Sequence, residues 1–193
     1  MAQPTTTFLD ELMAAARGCW ALLIGNRQAP SFFDFSQRGL VGSLIAFLVI
    51  TTAMAFLGAA PLGVPGEATR AIVASAVVFA LKAGASWLLL RQNGRLDGFI
   101  PYLVADNWVS FFTAILAIGL MFITGASDIA VFGVGLLVIV IEINIARLIV
   151  TLTPWQIAIF IVVQMVASSV GLILLFAFGI LTLPDVSAAA GAV

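Results

Sequence analysis

The stretch VIVIEINIARLIV, Val138 to Val150, places a glutamate, an asparagine and an arginine in a run that is otherwise aliphatic. Read alone, its I-E-I-N-I core alternates with the period of a strand. Its surroundings say otherwise, because it closes an apolar run that begins at about Ile129. In lipid only α-helices and closed barrels satisfy every backbone group. Barrel strands are about 10 residues long and alternate throughout, and the other apolar segments of this chain do not alternate. The stretch therefore reads as the end of a membrane-spanning helix.

Composition supports that reading. Of 193 residues, 63% are hydrophobic and 9% charged, and the mean hydropathy is +1.21. A soluble domain carries roughly 25% charged residues. The net charge of −1 offers no basic surface for nucleic acid. Cys19 is the one cysteine, so no internal disulfide forms, and the absence of histidine removes the commonest general base and transition-metal ligand.

A hydrocarbon core about 30 Å thick takes about 20 helical residues to cross. Five apolar runs have that length: about 39–60, 71–90, 100–123, 129–150 and 155–181. The expected fold is all-α, a five-helix transmembrane bundle over 39–183. It is preceded by an N-terminal region, 1–38, and followed by a short external tail, 184–193. Five crossings put Arg17, Arg27, Arg38, Arg91, Arg95 and Arg147 on one side and Arg70 on the other. The excess of arginine marks the cytoplasmic face of an inner membrane, with the N-terminus inside and the C-terminus outside.

The segment before the first span lacks the basic start of a signal peptide, carrying Asp10 and Glu11 there, and Arg17 breaks its apolar stretch. It reads as an amphipathic helix. Thr7 and Asp10 make a capping box, Phe8, Leu12, Cys19 and Leu23 recur near helical spacing, and Gly25-Asn26 is a stop. Such a helix lies on the inner leaflet or docks on the bundle. Cys19 reads as a small apolar residue of that face, with palmitoylation as the alternative.

The question raised by Glu142 now has a spatial form. Counted from the inner ends of their spans, Lys82, Glu142 and Gln164 lie at similar depths, with Asp106 and Arg147 somewhat nearer the surface. An isolated charge at mid-bilayer costs on the order of 2.5–3.5 kcal/mol. Pairing is expected: Lys82 with Glu142 and Asp106 with Arg147, with Asn107, Asn144 and Gln164 completing hydrogen bonds. Small and polar neighbours share these faces, among them Ser75 and Ser86, Ser110, Gly135, and Ser168 with Gly171, where close helix packing is expected. A second small stripe on span two is Ala76, Ala80 and Gly84.

Enzymatic readings find little support. Lys82 with Ser75 or Ser86 is the arrangement of a serine-lysine dyad, but serines are commonplace packing residues on such a helix. GASD at 125–128 carries serine where an intramembrane aspartyl protease has its second glycine, and Asp128 reads as a helix N-terminal charge. No phosphate loop, metal spacing or haem motif is present. No catalytic residue, cofactor or metal is expected.

Two segments carry a resemblance. LLLRQNGRLDGFIPYLVADNW, 88–108, is a span ending in a basic glycine-bearing loop and leading through an aromatic-proline element, Phe99 and Pro101, into the next span. TLTPWQIAIFIVVQ, 151–164, opens the last span. Together with five spans, an inner N-terminal region and a short outer tail, these resemble bacterial relatives of the Yip superfamily, whose eukaryotic members interact with Rab GTPases. The resemblance implies a non-enzymatic scaffold or interaction component, working through its N-terminal helix and inner loops, and assigns no functional residue. The alternative from the residues themselves is a small oligomeric transporter or channel built on the Lys82 and Glu142 layer. The expected partners are the lipid bilayer, copies of the chain or other membrane proteins, and no nucleic acid.

Overall fold

The computed structural model describes residues 7–59, 65–124 and 127–181. The expected tail at 184–193, the first six residues, and parts of two connections, at 60–64 and 125–126, lie outside the described residues. Within them the chain is all-helical, with six α-helices and no strand. They are α1 (Phe8–Leu23), α2 (Gln37–Ala59), α3 (Glu67–Gln92), α4 (Phe99–Thr124), α5 (Asp128–Asn144) and α6 (Pro154–Ala177). α2 to α6 are long and apolar enough to cross a membrane, so the chain is a multi-pass membrane protein.

Local chemistry explains where these helices start and stop. Thr7 and Asp10 form the expected capping box, the Asp10 amide donating to the Thr7 hydroxyl (3.2 Å) and the Thr7 amide to the Asp10 carboxylate (2.9 Å). α1 ends where Gly25 takes a left-handed φ of +68° and the Asn26 amide returns to the Ala21 carbonyl. α6 begins with Pro154 at a position that needs no amide donor. It stops at Ala177, four residues short of the apolar run's end, because Gly179 at φ +66° terminates it in the same way as Gly25 ends α1.

The end of α5 departs from regular helix. Ile145–Ile149 form a π-turn, which inserts an extra residue into the helical repeat. The chain then reverses at Thr151, the one non-glycine residue with positive φ (59°) among those described. Arg95 holds this corner, its guanidinium donating to the Thr151 carbonyl (3.0 Å) and to the Thr151 hydroxyl. Gly98 permits the close approach, since a Cβ there would stand 2.7 Å from Val150 Cγ1.

The spans form a ring in the order α4, α2, α3, α6, α5. α2 packs along α4 and α3 along α6. α5 is held mainly by α4 and barely touches α6. Packing is concentrated at the end that carries α1, the near end, where Leu90, Val104, Ile145 and Val150 are wholly buried. Toward the far end the helices separate. Phe122, Ile129 and Phe132 are exposed, and a Cβ on Gly135 would meet nothing within 4 Å. The small-residue stripes therefore pack only in part. Gly171 of α6 does lie against Val78 and Leu81 of α3, whereas Gly84 faces open space.

α1 crosses the near end of the bundle, packing on both α4 and α5. Near its start, Phe8 meets Trp108 with ring centroids 6.1 Å apart, and Glu11 abuts Gly42, two turns into α2. Near its end, the Asn144 amide donates to the Leu22 carbonyl (2.9 Å). All three contacts fall within about two and a half turns of the near ends of their spans, so α1 lies across the spans rather than along them. Ala15, Cys19 and Leu22 face inward, while Leu9, Met13, Trp20 and Ile24 form an exposed apolar stripe. The helix is thus docked on the bundle by one face and leaves an apolar face outward.

Candidate functional site

Lys82, on the third turn from the near end of α3, projects into the centre of the ring. Its Nζ lies 3.6 Å from Asp106 Oδ1 on α4 and 3.7 Å from Glu142 Oε1 on α5. The expected Lys82–Glu142 pair is present. The expected Asp106–Arg147 pair is not, because Asp106 turns to the same ammonium. Arg147, five residues past Glu142, leaves the helix about 140° round from it at the regular helical repeat; it is exposed, with no ion pair among the described residues.

Asp106 Oδ1 and Glu142 Oε1 thus meet at the same Nζ. One ammonium therefore serves two carboxyl groups, each of them buried. Glu142 Oε2 has no donor from the ammonium or any other ordinary donor group. With all three groups ionised the site would hold one uncompensated negative charge inside the bundle, which is expensive. A proton on one of the carboxyls would remove that charge.

The amides do not all join this layer. Gln164 does: its Nε2 donates to the Tyr102 hydroxyl (2.9 Å) and to Ser86 Oγ. Ser86 in turn donates its proton to the Lys82 carbonyl (2.8 Å), which fixes the amide nitrogen as the group facing it. Gln164 Oε1 is left without a partner. Asn107 instead donates to Ser43 of α2 (3.1 Å), on the other side of α4. Asn144 is spent on anchoring α1. Both were expected to complete the charged layer and instead join it to neighbouring elements.

Sequence reasoning missed three polar participants. Tyr102 is the chain's single tyrosine, four residues before Asp106 and hence on its face, a signal that was available. Ser43 carried no such signal. Glu11 served in the sequence only as an acidic residue where a signal peptide would be basic, yet its Oε1 is buried without a partner against Gly42. Burial and the neighbouring Asp34 carboxylate raise its pKa, with Arg38 acting in the opposite direction.

Lys82 borders two cavities. One, of about 320 Å³, lies among α2, α3 and α4 and includes Asp106, Ser75 and Ser110. The other, of about 340 Å³, lies where α5 and α6 diverge and includes Glu142, Gln164 and Ser168. Among the described residues no cluster of side chains is suited to hold a metal. No family model, curated protein or solved structure matches the chain.

Proposed function

We propose that the chain is a small, non-enzymatic transporter of the cytoplasmic membrane, with its N-terminus inside, in which Lys82, Asp106 and Glu142 bind and release a proton as the helices around them move. The observation that carries this reading is two buried carboxyl groups on one partly buried ammonium. A group placed only to hold helices together needs no such imbalance, since serine or asparagine would serve. Cavities on both flanks of Lys82 support it further, as a proton site needs access. At this size one copy offers little room for a solute path, so the working unit is an oligomer.

The test is proton-coupled flux in proteoliposomes. Glu142→Gln and Lys82→Met are each expected to lower it by about tenfold or more, and undiminished flux in both variants would reject the transport role. A second reading, a Yip-like scaffold, draws support from α1, which is folded against the bundle with an apolar face outward beside the arginine-bearing loops. Under it, deletion of residues 1–30 abolishes capture of membrane partners while the triad variants leave capture intact.

A further inference from the structure

The cavity beside Asp106 adjoins another of about 260 Å³ that lies nearer the far end, with Thr51, Ser75 and Ser110 lining both. These residues come from α2, α3 and α4. Ser110 stands one turn above Asp106 on the same face of α4, and Ser75 two turns above Lys82 on α3. A serine or threonine inside a membrane helix ordinarily gives its hydroxyl proton to a carbonyl of the preceding turn, as Ser75 does to Ala71. The hydroxyls of Thr51 and Ser110 have no hydrogen bond among the described residues, although they border the cavities. Free hydroxyls leading to a charged group are the lining a water file requires.

Toward the near end the packing is close. Tyr102, Val104, Ile145 and Phe160 are almost wholly buried below the triad, with Tyr102 edge-on to Phe160 at 5.1 Å and tied to Gln164.

We propose that water enters the bundle from the end opposite α1 and reaches Asp106 and Lys82 along Thr51, Ser75 and Ser110, so that in this conformation the triad exchanges protons with the far side alone. The inference rests on the proton-binding reading of the triad. In the step itself, a hydronium ion in the file gives its proton to an Asp106 carboxylate oxygen, forming the O–H bond and leaving water. No other reactant is needed.

Cysteine accessibility tests the route in the full-length protein in proteoliposomes. The native background is silent, because Cys19 is buried and burial pushes its thiol up to about 12, whereas thiol reagents attack the thiolate. The probe is a membrane-impermeant quaternary-ammonium methanethiosulfonate. Asp128→Cys marks the far side, Gln28→Cys the near side, and Val140→Cys a lipid-facing position.

Ser110→Cys and Ser75→Cys are expected to react from the far side only, at least about tenfold faster than Val140→Cys. Reaction no faster than Val140→Cys, as an acyl chain filling the cavity would give, overturns the route, and so does reaction from the near side. If either serine variant fails to fold, Ala114→Cys and Ala71→Cys, on the lining of the outer cavity, carry the same expectation. Flux separates the two claims. Far-side labelling with undiminished flux in Glu142→Gln and Lys82→Met retains the water route and rejects the transporter, while the converse retains the transporter and rejects the route.

Discussion

Lys82 is the residue on which the interior depends. Removing the cation from a buried ion pair leaves its partners uncompensated, a loss of about 3–5 kcal/mol in soluble proteins. Lys82→Met is therefore expected to lower the thermal unfolding temperature in detergent, and Lys82→Met combined with Asp106→Asn to recover part of the loss; a double variant less stable than the single one would contradict the shared-ammonium geometry. Glu11 makes a prediction with the opposite chemistry. Its pKa is raised in the folded state, so the protonated form favours docking of α1. That contribution is full below the ordinary glutamate range and fades as pH rises through the raised value. Hydrogen exchange of α1 amides, corrected for the intrinsic pH dependence of exchange, is expected to show weaker protection at neutral than at acidic pH. Glu11→Gln is expected to flatten the difference.

At the scale of elements, length and hydropathy made all five spans legible, since a bilayer fixes how many apolar residues a crossing takes. The partner of Lys82 was legible for a similar reason: depth can be counted along a helix from its end. The pairing of Arg147 was misjudged because depth was matched without angle: five residues past Glu142, its side chain leaves the axis about 140° round from that carboxyl. Asn144 was misplaced for another reason. Counting depth along spans takes no account of a helix lying across them, and its amide meets the α1 backbone. Asn144→Ala removes the one side-chain donor to the Leu22 carbonyl and leaves it the Gly25 amide, at a cost of about 0.5–1.5 kcal/mol. Faster proteolysis between Gly25 and Gln28 is the expected sign, and unchanged cleavage would show that the apolar face of α1 suffices to hold it.

For the whole molecule, burial is graded from one end to the other, and stability should follow it. Backbone amides around Val104 and Ile145 are expected to exchange at least about tenfold more slowly than those around Phe132 and Gly135 in micelles. Uniform protection would mean that the far halves are covered, as they would be between copies of the chain. The triad has a mechanical meaning within this asymmetry. α3 and α5 stand on either side of α6 in the ring, and the Lys82 amine reaches from one to the other. Neutralising the Glu142 carboxyl would unfasten α5 from α3 while leaving α4 tethered through Asp106. A change of acidity on one side would then become a tilt of one helix, with no bound molecule needed to drive it.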